Sequence, residues 1–311
     1  WITIKKIIHD YEYIYTSPNS NKNIANIVPF SRSYFKLKEM INSYGLMKEN
    51  NYCIFCIAEA PGGFIQCLLD YETKIDKIVG TSLLSDNDSN IPYWNKKLFS
   101  EKLEYTYGKK QNGDICDIDN LLSMVYNKQN TYDIITADGG FDYSIDYNKQ
   151  EKDSLPLIHS EILLALCTQK KGGTFICKLF DMFLKETNIF IYYLTLSYDS
   201  IYFHKPAVSR YSNSEKYIVC LGFKGYNKEI INTLFRLFVT PGDYYCDTNF
   251  IKEIYSFNEL YLKKQKDKIE EGVDLLDKNI NIFPSEKQIT KTLKWCVEND
   301  IEINNKCFYL N

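Results

Sequence analysis

From residue 53 to residue 196 the chain alternates short apolar runs with segments of helical spacing, and that alternation restricts the fold more than any other feature of its 311 residues. Apolar runs at 53–58, 77–83, 103–107, 132–138 and 174–180 are interleaved with helix-patterned segments at 64–71, 121–125, 154–169 and 187–196. Strands that each hand the chain to a helix must pair in parallel, with helices covering both faces, so the expectation is a doubly wound α/β sheet. The runs at 200–205 and 215–223 are joined by a loop instead of a helix, which predicts an antiparallel hairpin at one sheet edge. Outside this body, residues 1–30 read as an N-terminal arm with a short helix before a loop, and residues 226–311 as a helical C-terminal extension. Residues 31–45 open on a serine able to cap and close on Gly45, with Phe35, Leu37, Met40 and Ile41 near helical spacing, so they predict a helix carrying Lys36 near its first turn.

The apolar stretches at 157–167 and 189–196 are too short or too polar to span a bilayer, and no charged-then-apolar leader precedes them, so the expectation is a soluble, cytoplasmic protein with no membrane association. Ten cysteines are scattered through apolar segments; even the Cys53/Cys56 pair lies inside one apolar run, with three histidines in the whole chain, and reads as core thiols instead of a metal site. A net charge of −3 argues against a protein that coats nucleic acid, so any RNA contact must be local. Lysine outnumbers arginine 34 to three, a bias attributable to an AT-rich genome, and two of those arginines, Arg32 and Arg210, flank candidate site residues. Their planar forks would grip RNA phosphates beside Lys205 and Ser209, or else form ion pairs with nearby carboxylates. The charged stretch at 262–278 reads as a solvated helix face with opposite charges near i,i+4 spacing.

The segment Glu59-Ala60-Pro61-Gly62-Gly63-Phe64 follows the first strand and opens a helix, at the carboxyl edge where doubly wound sheets bind ligands. Its glycines let a ligand approach the backbone, or simply make a tight turn. Four more residues fall at element ends: Lys36 in SRSYFKLKEM, Asp138 in DIITADGGFD, Lys178 in GGTFICKLF and Glu215 in SRYSNSEKYIVCLGF. In these motifs and their order, residues 31–225 resemble the FtsJ-like ribose 2′-O-methyltransferases, and within them the mRNA cap-specific type; the stretches TADGGFDYSIDYNKQE and KPAVSRYSNSEKYIV look most like the version carried by large DNA viruses of the African swine fever virus kind. The resemblance implies a Rossmann-like methyltransferase sheet, S-adenosylmethionine as cofactor, capped mRNA as substrate, a host-cytoplasm or viral-factory location, and a partner in the transcription or capping machinery reached through the C-terminal extension; ribose methylation of ribosomal or transfer RNA and an RNA-binding subunit that keeps the fold without the chemistry are the alternatives. The resemblance also implies a catalytic set of Lys36, Asp138, Lys178 and Glu215.

A ribose hydroxyl holds its proton far above neutrality, so attack on a sulfonium methyl needs a base, positioning, or both. Lys178 is the expected base or hydroxyl-orienting group, its own proton affinity lowered by burial and by Lys36 as a neighbouring cation. Asp138 would hold the amine beside the methyl donor, and Glu215 would position Lys36 or the nucleotide. For the cofactor, the resemblance implies that Ala60, Pro61, Gly62, Gly63 and Phe64 wrap the methionine moiety and that Asp114 meets the adenine amine. Two departures stand out: Cys56 and Thr81-Ser82-Leu83 occupy positions where acidic residues are frequent. Ser82 can still bond a ribose, and either the cofactor binds more weakly or Glu59 compensates. Direct methyl transfer requires no metal.

Overall fold

The computed structural model describes residues 1–84, 91–140, 147–240, 242, 246–276 and 283–310. Residues 141–146 and 277–278, which belong to motifs quoted above, lie outside them. Helices α1 (Ile2–Ile7) and α2 (Ser33–Tyr44) precede strand β1 (Tyr52–Ile57); α3 (Gly63–Leu69), β2 (Ile75–Thr81), β3 (Leu103–Tyr105), α4 (Ile118–Val125), β4 (Tyr132–Ala137), α5 (Gln150–Thr168), β5 (Gln169–Leu179) and α6 (Lys185–Ser197) continue the alternation. Strands β6 (Tyr198–His204) and β7 (Lys216–Phe223) follow, then α7 (Lys228–Val239), α8 (Thr248–Val273) and α9 (Glu286–Glu298).

One seven-stranded sheet has the order β3-β2-β1-β4-β5-β7-β6. The first five strands pair in parallel, and β7 is antiparallel to both β5 and β6. This is the Rossmann-like sheet with the expected antiparallel edge. Its order reverses between β1 and β4, so the crevice beyond their carboxyl ends is the topological switch point.

The apolar runs are continuous because both faces of the sheet are covered. Along β1, Phe55 and Ile57 join one core with α5 and α4, while Ile54 and Cys56 join a second core with α2 and α3. Positions 53 and 56 therefore face opposite sides of a strand, where one metal could not be shared between them. Helix α2 ends on Gly45 at φ +59, the left-handed turn a glycine adopts without cost. Its start differs from expectation: Arg32 is the cap residue and makes no side-chain capping bond, while Ser31 Oγ accepts from the Ser33 N–H at 3.3 Å.

Helix α5 begins at Gln150, four residues before the predicted Ser154, and runs through Pro156. The carbonyl of Pro156 accepts from Ser160 Oγ at 2.9 Å. The arm and extension do not stand apart from the sheet. Tyr13, Ile14, Ile24, Trp295, Cys296 and Cys307 share the second core with α2, and Ile231, Leu234 and Ile254 share the first with α5. On α8, Lys266 pairs with Glu270 at 3.7 Å and Lys268 with Glu271 at 2.6 Å, the charged face foreseen in the sequence. Among the described residues, no helix is long and apolar enough to cross a membrane.

Candidate active site

Strand register brings the four sequence-predicted residues together. Ala137 on β4 is opposite Cys177 on β5, so Asp138 and Lys178, the next residues, leave the sheet side by side. Lys178 is in turn opposite Tyr217 on β7, and Glu215 lies two residues earlier on the same face. The Lys178 Nζ donates to the Asp138 carbonyl at 2.8 Å and stands 3.4 Å from Asp138 Oδ1. Across the cleft, helix α2 delivers Lys36, whose Nζ donates to Glu215 Oε2 at 2.8 Å. Tyr217 joins the two ion pairs. Its hydroxyl donates to Asp138 Oδ1 at 2.6 Å, and Lys36 Nζ lies 5.8 Å from its ring centroid. Tyr217 is fully buried and was not singled out from the sequence, although its two-residue spacing from Glu215 is the signal that could have found it.

The electrostatics of the pairs depart from the sequence expectation in one respect. Burial does pull the Lys178 amine downward, but the carboxylates of Asp138, Glu215 and Glu161 outweigh it and hold the amine above the ordinary lysine value. In the free protein Lys178 is therefore an ammonium, not a pre-lowered amine. Burial works against ionisation of Glu215 as well, yet Lys36, Lys178 and Lys205 together keep its carboxyl well below the usual range. Two amines nearby do fall: Lys205, brought to about 7 by burial with Lys216 and Lys36 adding to the effect, and Lys216, brought to about 8 by burial.

The Glu59–Phe64 turn closes the same cleft. Ala58 adopts φ +54 to turn the chain out of β1, and Gly62 stands at φ +106, a conformation glycine alone takes readily. Gly63 is a packing glycine: a Cβ there would lie 2.1 Å from Ser33 Oγ and 2.3 Å from Ser31 Oγ, so its absence lets α2 fasten onto α3. Glu59 Oε1 accepts from the Phe64 N–H at 2.6 Å, while Oε2 is buried with no partner among the described residues. Burial, reinforced by Asp138, raises this carboxyl well above its ordinary value. Ser82 Oγ accepts from the Ala60 N–H at 3.3 Å, and the carbonyl of Ser82 would be 1.9 Å from a Cβ on Gly113, which places Asp114 beside Ser82 at the end of β2. An unsatisfied buried carboxyl at the switch point, next to a serine and an aspartate, is a donor-and-acceptor set that fits an amino-acid nucleoside such as S-adenosylmethionine.

The proposed RNA contacts take a different form. Arg210 holds Glu12 of the N-terminal arm with Nη2 at 2.8 and 2.9 Å and Nε at 3.1 Å. Arg32 lies 3.6 Å from the same carboxylate and also donates to the carbonyls of Tyr15 and Val208. Of the two alternatives the sequence left open, the structure realises ion pairing with a carboxylate, one that sequence reasoning missed because it sits in the arm. Ser209 Oγ donates to Glu215 Oε1 at 2.7 Å, and Lys205 Nζ donates to the Asn213 carbonyl at 2.9 Å. These four side chains shape the loop beside the cleft. Arg210→Lys, which cannot reproduce the fork, is expected to lower stability by about 1–2 kcal/mol in urea unfolding while leaving RNA affinity within twofold. A weakened RNA affinity at unchanged stability would return Arg210 to the RNA.

The FtsJ-like methyltransferase family matches residues 29–223. Among curated proteins, the chain is 32% identical over 234 residues to a cap-specific mRNA (nucleoside-2′-O-)-methyltransferase 1A of Caenorhabditis briggsae, covering 67% of this chain and 27% of that protein. It is 31% identical over 235 residues to an inactive cap-specific mRNA (nucleoside-2′-O-)-methyltransferase 1B of the same organism, covering 67% and 28%. To the cap-specific mRNA (nucleoside-2′-O-)-methyltransferase 1 of Caenorhabditis elegans it is 39% identical over 186 residues, covering 57% and 20%. The chain thus spans about a quarter of the length of these relatives. The family match runs from the loop before α2 to the end of β7, which takes in every strand and all four residues of the paired cluster, and the chain belongs to the FtsJ-like methyltransferases.

Proposed function

We propose that this chain transfers the methyl group of S-adenosylmethionine to the ribose 2′-hydroxyl of the first transcribed nucleotide of capped mRNA, converting cap 0 to cap 1. The observation that carries the reading is the pair of ion pairs, Lys36–Glu215 and Lys178–Asp138, joined by Tyr217 at the carboxyl edge of the sheet. The cofactor supplies an electrophilic methyl on sulfur. Glu59, Ala60, Pro61, Gly62, Gly63, Phe64, Ser82 and Asp114 would hold it, with the unpartnered Glu59 Oε2 taking the place of the acidic residue absent at Cys56. Once it has released its own proton, the Lys178 amine would orient the 2′-oxygen and take the hydroxyl proton. Asp138 fixes the amine, and Glu215 fixes Lys36 as the second cation facing the nucleotide. Arg32, Lys205, Ser209 and Arg210 would hold the shape of the loop beside the cleft that receives the RNA.

The relatives named for cap-specific methylation support capped mRNA over ribosomal or transfer RNA. The lysine-for-arginine bias fits the AT-rich genome of a large DNA virus, a source that would put the chain in the host cytoplasm or viral factory. Residues 31–225 form the methyltransferase unit, and the exposed Tyr255, Leu260 and Leu262 on α8 support a contact with transcription or capping machinery through the extension. The test is methyl transfer from labelled cofactor onto matched short transcripts with and without a cap. Label is expected in the first nucleotide of the capped RNA, with at least tenfold less on the uncapped one. Equal transfer to both removes the cap from the reading, and no transfer to either points to a fold retained without chemistry.

A further inference from the structure

Glu39 lies on α2 one turn beyond Lys36, on the same helix face. Its carboxylate is a meeting point of three segments that are remote in sequence. The Ala207 N–H donates to both oxygens at 3.0 Å, His204 Nε2 stands 3.1 Å from Oε1, and the Trp295 indole N–H donates to Oε2 at 2.7 Å. The side chain of Glu39 is 12% exposed and Trp295 only 4%. A carboxylate this enclosed is stable only while donors satisfy it, so these contacts are fixed points. Ala207 begins the 205–215 loop that ends in Glu215, and the same loop is held a second time where Arg32 Nη2 donates to the Val208 carbonyl at 3.2 Å. Trp295 comes from α9 and packs edge-on against Phe35 of α2, with ring centroids 5.9 Å apart.

We propose that Glu39 is a positioning residue for the Lys36–Glu215 pair, binding the start of the 205–215 loop to α2 and taking its brace from Trp295, so that the C-terminal helix α9 is part of the catalytic apparatus. The proposal rests on the methyl-transfer reading for its catalytic consequence but not for the clamp itself. Lys36 and Glu215 come from elements that make no backbone hydrogen bonds to each other among those described, so their 2.8 Å pairing depends on how α2 is set against the loop. A misplacement of about 1 Å between reacting groups can cost up to about a hundredfold in rate.

The experiment compares Glu39→Gln and Trp295→Phe in the full chain. Glutamine keeps the shape but presents an amide N–H to a donor; phenylalanine removes only the indole N–H and is the milder variant should the first fold poorly. Two measurements are made: amide hydrogen exchange without substrate, and kcat and KM for methyl transfer. The expected result is faster exchange confined to residues 204–215, kcat lower by about 10–30-fold for Glu39→Gln and about 3–10-fold for Trp295→Phe, and a cofactor KM within twofold of the parent. Faster local exchange with unchanged kcat overturns the positioning role. Unchanged exchange in both variants overturns the clamp. A global rise in exchange with kcat intact reduces Glu39 to a structural residue. A parent protein that methylates no RNA refutes the functional reading instead, and the exchange data then decide the clamp alone.

Discussion

Lys178→Met is expected to lower methyl transfer by about a thousandfold while cofactor binding changes little, the scale on which a positioned proton acceptor contributes. Methionine keeps the length and apolar character of the stem and removes the amine that lies 2.8 Å from the Asp138 carbonyl. Lys178→Arg is expected to fail equally, because a guanidinium keeps the positive charge but cannot give up its proton at any working pH. The pair of variants separates a base from a fixed cation: rescue by arginine would make charge alone the requirement. The pH profile follows from the direction of the Lys178 shift. Its amine is held above the ordinary lysine value by three carboxylates, so the active, unprotonated form grows as pH rises. In the parent protein, kcat/KM should climb across the neutral range, approaching tenfold per unit, without a plateau there. A sulfonium bound beside the amine opposes its protonation, so kcat should level off at lower pH than kcat/KM. A flat profile for both would exclude Lys178 as the proton acceptor.

What the sequence disclosed and what it hid have a common cause. Asp138, Lys178 and Glu215 were legible because each sits at the end of an apolar run, and a parallel sheet aligns such ends whatever the length of the connections. The edge hairpin was legible from a loop standing where a helix was due. Glu12 was not, because nothing local in an arm of aromatics and polar residues signals that its carboxylate, 2% exposed, will receive two arginines, one of them 198 residues further along the chain. Tyr217 was lost among 26 tyrosines, since its two-residue spacing from Glu215 gains weight only once Lys178 is seen to pair with it across β5 and β7. Helix α5 was started late because proline is expected in a first turn, whereas here Pro156 lies in the second. The direction of the Lys178 shift was misjudged because the carboxylates of Asp138 and Glu215, both named in the sequence, were not weighed against burial; with Glu161 of α5 they outweigh it.

Glu161→Gln is expected to stabilise the protein at alkaline pH, because the carboxyl it replaces is buried. Glu161 is fully buried; its Oε2 accepts from Cys177 Sγ at 3.4 Å, while Oε1 has no hydrogen-bond partner among the described residues and would be 2.3 Å from a Cβ on Gly139. Burial raises this carboxyl to about 8, against which Cys177 and Lys178 pull weakly. The folded protein therefore binds a proton at Glu161 that the unfolded chain releases near the ordinary glutamate value. Stability from this group is complete below that value and is lost as pH rises towards about 8, by a few kcal/mol at about 1.4 kcal/mol per unit. Glutamine mimics the neutral acid and cannot ionise. Urea unfolding at pH 5 should thus give nearly equal stabilities for the two proteins, with the variant ahead by a few kcal/mol at pH 9. Parallel curves would mean that Glu161 is already ionised at neutrality. The same ionisation adds a buried negative charge behind the Asp138–Gly139 turn at a lower pH than the one at which the Lys178 amine, held above the ordinary lysine value, gives up its proton. In the parent the gain in base is then opposed by a loss of stability, and the variant should carry the rising limb of kcat/KM further before activity falls.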